Sequence, residues 1–591
     1  MNPQDYYNKE LTRLTDESQT IQLAIDKISN ARLVLGLCTL ICAAVSIYAS
    51  YDAGWILCGC SVVAFIGAVV RQSALVRRQE IVGYSIDIFQ NELKVLQGDF
   101  SRHATGEADI DMAHPYTLDM DVFGKGSIYQ MLVRTVTVRG SALLASLLKD
   151  PYGTPHEMRQ RQAEVRELST DPGFSHSVQL LGRCYKETPD DRQNVLGWLQ
   201  LPSLFLQHKL LGVFSIFSPL AALLIIAGCI FFDWPQLVLL PVIVANWIVL
   251  GLVARHIRTT AMLVATSVAF IDKYEALFKL VQERKYTTAG LTAIADKAQQ
   301  SLAAVSKWRK LAKVLENNQH GMVKPIMNSL FLFDVYCCIR LERWKQEHGA
   351  LVAEVMDAVE QLDVLVSLAT YAFNNPENVY AELSDEHQFV ELVDVKHPLI
   401  NAQVVGNDFR IGKPERFYLL TGANMTGKST YIRTVGVSVL LSYMGMPIKA
   451  SKAVMPVLHL YTSMRITDSL QDDRSYFKAE LGRIQHIMQQ TATGQPTLIL
   501  IDEPLKGTNS LDKRNGTIAI IRRLLERNTV GILATHDTQL CDMEVLHAPL
   551  FVNRHFDSEV EDGELVFDYV LKSGCSQSNN ATILMEKMGI I

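Results

Sequence analysis

Two glycines, a lysine and four hydroxyls stand together in Thr421-Gly422-Ala423-Asn424-Met425-Thr426-Gly427-Lys428-Ser429-Thr430. Glycines at this spacing let backbone N–H groups turn inward on phosphate. The amine of Lys428 reaches the outer phosphates of a nucleotide, and the Ser429 hydroxyl can ligate Mg2+. A second group is acidic: Asp502-Glu503 follows the apolar run Thr497-Leu498-Ile499-Leu500-Ile501. There Asp502 suits the metal and its water shell, while Glu503 suits a base that polarises the attacking water. A third, Thr535-His536-Asp537, follows another apolar run, and its His536 is placed to sense the γ-phosphate through that water. Each acidic or histidine residue alone is more often a loop or cap residue. Together they predict ATP and Mg2+ as ligands, with Ser429 and Asp502 toward the metal and Glu503 and His536 in catalysis.

These groups need a sheet edge to meet. Phe417-Tyr418-Leu419-Leu420 reads as a buried strand running into the loop, and residues 431–443 read as the helix that follows. Residues 497–501 and 530–534 read as two further buried strands delivering their polar ends to the same edge. The segment Asp472-Asp473-Arg474-Ser475-Tyr476-Phe477-Lys478-Ala479-Glu480 opens an amphipathic helix through Leu481, Ile484 and Ile487. Ser475 at its start is an ordinary cap. It is equally an anion site that can close in trans on the nucleotide of a second subunit. From about residue 376, short β-branched runs followed by strand–helix alternation mark an α/β domain. Residues 264–284 and 351–369 carry long amphipathic helical patterns, so a helical scaffold precedes that domain.

The 591-residue chain is too long for one core, and 48% of it is hydrophobic. Residues 33–50, 55–70, 211–232 and 237–254 carry no charged side chain, and each approaches the roughly 17–25 residues that cross a bilayer. The competing reading, buried core helices, weighs most on the shortest run, 55–70. Arg32, Arg71, Arg77, Arg78, Lys209, Arg255 and Arg258 flank the outer ends, whereas 51–54 and 233–236 have no Lys or Arg. The expectation is a multi-pass membrane protein with two hairpins, both termini and the ATPase domain cytoplasmic, and lipid as a partner. No short basic leader precedes the first run, which is expected to stay in the mature chain. The 10 cysteines show no spacing suited to zinc, which fits a reducing compartment, and the net charge of −6 argues against a strongly basic nucleic-acid binder.

The P-loop with its Asn-Met pair, Asp502-Glu503 followed by Gly507-Thr508 and Asp512, and Ala534-Thr535-His536 together resemble the MutS family of DNA mismatch-repair ATPases. Upstream, Leu118-Asp119, Arg134-Thr135-Val136-Thr137 with Gly140, and Leu362-Asp363 are similar to its helical core; His397-Pro398 and Asn407-Asp408 resemble its approach to the ATPase domain, and Phe567-Asp568-Tyr569 its closing hairpin. The resemblance implies an α/β ABC-type P-loop ATPase domain on an α-helical core-like scaffold, here carrying four transmembrane helices in two hairpins. It implies nucleotide contacts from Asn407, Gly422, Asn424, Met425, Gly427, Lys428, Ser429 and Thr430, a homodimer through the ATPase domains, and Ser475 acting in trans. The resulting division is an N-terminal helix and hairpin (1–78), a core-like segment (79–208), a second hairpin (209–255), a helical lever (256–375) and the ATPase domain (376–591). Departures are equally specific. No mismatch-reading domain or duplex clamp is visible, no helix-turn-helix tail follows, Ala423 and Pro504-Leu505-Lys506 replace usual family residues, and Phe389-Val390-Glu391 matches a mismatch wedge in letters only. Lys307-Trp308-Arg309-Lys310 with Lys313, and Arg340 with Arg343-Trp344-Lys345, pair aromatic and basic residues. They read either as a double-stranded DNA contact or as a solvated face with its tryptophans turned inward. Two outputs remain open: DNA binding of the mismatch-repair type, or a mechanoenzyme working on a protein or lipid partner.

Overall fold

A computed structural model of the chain describes residues 2–48, 52–265, 267–318, 323–383, 389–400, 404–423, 425–465, 476–561 and 564–576. The first two helices, α1 (Pro3–Tyr48) and α2 (Asp52–Leu96), are 46 and 45 residues long and lie against each other. At 1.5 Å per residue each is about 70 Å, more than twice the roughly 30 Å of a hydrocarbon core. Their apolar halves are bare, with Leu40 69% and Ile56 71% exposed. The polar halves instead form a seam in which Tyr7, Leu14 and Ile21 recur every seven residues and meet Val82 and Phe89. That is the two-helix coiled-coil solution to a thin apolar stripe.

The second apolar pair is α3 (Lys209–Phe231) and α4 (Leu240–Ala265), joined through the short turn Gln236–Leu239. By length and composition, these helices and α1 and α2 are the four able to cross a membrane among the described residues. The pattern over 264–284, read above as one helix, is divided. Val264 lies near the end of α4, and a new helix covers Val268–Glu283. Between them the Ser267 hydroxyl donates back to the Leu263 carbonyl at 3.0 Å, a local bond that competes with the helical ladder. The scaffold continues through α5 (Ala289–Asn318), α6 (Val323–Phe331) and α7 (Phe333–Asn374), the last containing the whole 351–369 pattern.

Separate stretches of the scaffold meet at buried polar joints. The Asp363 carboxylate accepts from the Val136 and Thr137 amides at 3.0 and 2.9 Å and from the Thr137 hydroxyl at 2.7 Å. Gly140 beside it has no room for a Cβ. Burial pushes the Asp363 carboxyl up to about 6 against those donors. The tryptophans of the basic stretches are core residues: Trp308 and Trp344 stack 4.9 Å apart and both stack on Trp198. Arg309 pairs with Asp272 and Glu275, Lys313 with Asp272, and Lys345 donates to the Leu201 carbonyl. Of the two readings of this patch, the inward tryptophans are the observed one.

The C-terminal region holds a six-stranded sheet made of β1 (Phe417–Thr421), β2 (His459–Ser463), β3 (Thr497–Asp502), β4 (Thr529–Ala534), β5 (Phe551–His555) and β6 (Lys572–Ser573). Its order is β6-β5-β1-β4-β3-β2, with five parallel strands and β6 antiparallel at the edge. Helices α8 (Lys428–Tyr443), α9 (Tyr476–Thr491) and α10 (Ser510–Leu525) accompany it. A second, four-stranded sheet includes Phe389–Val395, so Phe389 belongs to a strand, and Glu391 pairs with Lys452 at 2.6 Å. One apolar core joins scaffold and sheet: Met120 of the scaffold packs on Gly436 of α8 so closely that a Cβ there would clash. Cys541 and Cys575 bring their sulfurs into contact across a Cα separation of 6.3 Å, a pairing their spacing in sequence does not reveal.

Candidate functional site

Three neighbouring strands end at one level, because Ala534 is in register with both Leu420 and Asp502. The chain leaves those ends by cross-strand bonds: the Thr535 amide donates to Leu420 O at 3.0 Å and the Glu503 amide to Ala534 O at 2.9 Å. The loop after β1, the acidic pair after β3 and the histidine after β4 therefore face one cavity of about 360 Å3. Its wall includes Met425, Gly427, Lys428, Ser429, Thr430, Asp502, Glu503 and His536.

The loop needs its glycines. Gly422 and Gly427 have φ of +146° and +104°, and a Cβ on Gly422 would lie 2.6 Å from Phe556 O. The helix begins at Lys428, three residues before the predicted start, so its first N–H groups belong to the loop. The Lys428 amine donates to Gly422 O and Ala423 O, both at 2.7 Å. Burial lowers its pKa to about 8; Asp502 opposes that shift and Lys506 adds to it. Ser429 Oγ donates to Asp502 Oδ2 at 2.5 Å, so the two hard oxygens suited to Mg2+ already converge. The amine and this oxygen pair, at the start of α8, fit a Mg2+–nucleotide.

Glu503 has φ +52°, a region that costs a residue with a Cβ about 1–3 kcal/mol and persists where surroundings impose it. One carboxylate oxygen meets His536 Nε2 at 2.5 Å and the other lies 3.6 Å from Lys506 Nζ. Burial, then the Lys428 charge, lowers the His536 pKa, while a hydrogen bond to the Gly422 backbone and the Asp502 charge oppose that shift. Arg514 of α10 fixes the switch from the other side through Asp537, at 2.7 Å.

Two predicted residues, Asn424 and Ser475, lie outside the described residues. Asn407 does not line the cavity. Its amide donates to Tyr569 O at 2.9 Å and accepts from the Leu571 amide at 2.7 Å, which fixes Tyr569, itself part of the wall, beside Gly427. Glu480 was not singled out by the sequence reading. Its buried carboxylate accepts from the Leu505 and Lys506 amides at 2.6 and 3.2 Å, tying α9 to the turn after Glu503. Only the mid-helix carboxylate in an apolar pattern hinted at it.

Comparison with known proteins agrees with this geometry. Residues 418–589 match the family model "MutS domain V". The chain is 26% identical over 327 residues to the DNA mismatch repair protein MutS of Thermotoga petrophila, covering 54% of this chain and 37% of that protein. It is 28% identical over 309 residues to the MutS of Thermotoga neapolitana, covering 51% and 34%, and 27% identical over 237 residues to that of Desulfitobacterium hafniense, covering 39% and 27%. The chain thus matches about a third of the length of these relatives. A likeness of 327 residues cannot fit within 418–589, so it runs upstream into the helical scaffold. Strand ends, loop geometry and the matched family model lead to one assignment: residues 418–589 form a MutS-type domain V, and the likeness to MutS proteins reaches upstream into the scaffold.

Proposed function

We propose that the protein is a membrane-anchored, Mg2+-dependent ATPase working as a homodimer, in which the nucleotide state of the C-terminal domain moves the helical scaffold and its hairpins. The observation that carries this reading is the convergence of Lys428, the Ser429–Asp502 pair and the Glu503–His536 pair in one cavity. Bound ATP with Mg2+ supplies the phosphoanhydride to be cleaved. Lys428 gives up its two loop carbonyls for phosphate oxygens, and Ser429 and Asp502 turn from each other toward the metal. Glu503, with His536 on one oxygen, orients the water and takes its proton. Asn407 contributes through Tyr569, and Ser475 of the other subunit completes the site in trans. The five-part division of the chain and the cytoplasmic placement of both termini belong to the same proposal, supported by the bare apolar halves of α1 to α4.

Mismatch-repair-type DNA binding is a second reading, favoured by the likeness to DNA mismatch repair proteins. The burial of Trp308 and Trp344 and the pairing of Arg309 and Lys313 with acids favour the mechanoenzyme reading. The test is phosphate release by the full-length protein in lipid vesicles, with and without Mg2+, beside a Lys428→Ala chain. Hydrolysis that needs both Mg2+ and Lys428 supports the proposal, and vesicle-free protein or Lys428-independent turnover refutes it. Salt-dependent duplex binding by the same preparation separates the two readings.

A further inference from the structure

A cavity of about 880 Å3 lies far from the nucleotide, between α4, the end of α5 and α6. It follows α4 from Trp247 to Met262, about 22 Å at 1.5 Å per residue. Its two ends differ in chemistry. Trp247 and Leu250 line the end within the apolar run, whereas Arg258, Glu316 and Lys324 line the end beyond it. Helix α6 is held on the apolar part by a buried polar joint: Asn246 Nδ2 donates to Ser329 O at 2.8 Å, Trp247 Nε1 to Ser329 Oγ at 2.8 Å, and Ser218 Oγ to Asn246 Oδ1 at 2.6 Å. Polar groups at membrane depth need such partners, so the joint fixes the crevice as a permanent feature of the hairpin.

The charges at the open end are not equivalent. Asp334 is committed, accepting from Asn318 at 2.7 Å and Asn328 at 3.0 Å with Lys324 at 3.9 Å. Arg258 and Glu316 line the same crevice, and among the described residues neither forms an ion pair, with the other or with any third group. One cation and one anion, held apart above an apolar slot, complement a ligand with a phosphate, an amine and acyl chains. We propose that this crevice binds a bilayer phospholipid with a zwitterionic, amine-bearing headgroup: phosphate on Arg258, ammonium on Glu316 and an acyl chain along Leu250 and Trp247. A phospholipid lacking the amine leaves Glu316 facing a headgroup it repels, which makes the site selective. The inference rests on the membrane reading of α3 and α4.

The experiment is native mass spectrometry of the full-length protein in mild detergent, titrated with dioleoylphosphatidylethanolamine or dioleoylphosphatidylglycerol. One ethanolamine lipid per chain is expected to bind in preference to the glycerol lipid. Glu316→Gln is expected to reduce that preference by about tenfold, the scale of one charge-assisted hydrogen bond. Leu250→Trp, which fills the slot and keeps both charges, is expected to lose the bound lipid while its unfolding midpoint stays that of the parent. Equal binding of the two lipids by the parent chain, or a preference that survives both substitutions, overturns the site. A chain that stays dissolved without detergent and does not float with vesicles removes the membrane reading itself; a chain that integrates into vesicles without headgroup preference removes only the lipid site.

Discussion

At the scale of single residues, the site is poised between two sets of partners. Lys428 is buried with a pKa of about 8 and holds only neutral carbonyls. Phosphate restores its full charge, so binding above that pH takes up a proton. ATP affinity is therefore expected to be level below about pH 8 and to fall by up to about tenfold per unit above it. Nucleotide titrations across this range check it; Lys428→Arg, which stays charged, should flatten the curve, and a flat parent curve contradicts it. Glu480 gives a second prediction. Removing its carboxylate frees two amides beside the strained Glu503 turn, so Glu480→Ala should lower kcat about tenfold, roughly 1.4 kcal/mol, with KM for ATP little changed. Glu480→Gln, which keeps an acceptor, should recover part of the loss. Asp502, Glu503 and His536 were legible in sequence because each sits one or two residues beyond a continuous apolar run, and Lys428 and Ser429 because they close a glycine loop that follows such a run. Glu480 was not, because its partners are 25 positions away and no local pattern encodes that distance. The role of Asn407 at one remove, through Tyr569, is hidden for the same reason.

Between elements, buried acids act as joints. Asp119 is fully buried and accepts from the Thr462 hydroxyl at 2.6 Å, the Arg465 amide at 2.8 Å and Arg483 of α9 at 3.2 Å, so the scaffold grips the sheet edge and α9 together. Asp121 adds Arg433 of α8, the helix that carries the P-loop. Asp119→Ala strands these donors and is expected to destabilise the contact by about 2–4 kcal/mol, read as a lower denaturation midpoint of the ATPase region. At the other end of the scaffold, Glu92 of α2 meets Arg134 at 3.1 Å, and Asn374 at the end of α7 bonds both Glu92, at 2.8 Å, and Tyr7 of α1, at 2.6 Å. Burial raises the Glu92 pKa, but Arg134 outweighs it and the net shift is downward. That contribution is present above the ordinary carboxylate pKa and is lost as acid protonates Glu92. Arg134→Met leaves a buried charge unpaired and should cost about 3–5 kcal/mol, whereas adding Glu92→Leu should restore much of it. The strands and the long helices were readable from period and punctuation. The heptad seam of α1 and α2 was not, since one apolar residue in seven is too sparse to register, and the break at Ser267 depends on a hydroxyl choosing its own backbone.

Over the whole molecule, buried joints occur at the hairpin of α1 and α2, where Glu92 meets Arg134 and Asn374, at Asp363 of α7, and at Asp119 beside the sheet; in the proposed function they are the route by which the nucleotide moves the hairpin. In the proposed homodimer, closure of two subunits on ATP is what would move this route. A Lys428→Ala chain and a Ser475→Arg chain are each expected to be inactive alone, and mixing exchangeable subunits should recover part of the activity through one intact composite site. Full activity of Ser475→Arg by itself rules out sharing in trans. Cysteine-accessibility mapping on sealed vesicles should place residues 100–200 and 400–591 on one face; reaction on opposite faces contradicts the two-hairpin topology. The proposed hydrolysis assigns the attacking water to Glu503, and its substitution is the most direct test. Full-length Glu503→Gln, loaded with γ-labelled ATP and Mg2+, should retain intact ATP and turn over at least about a hundredfold more slowly than the parent. Release of phosphate at the parent rate would contradict the account.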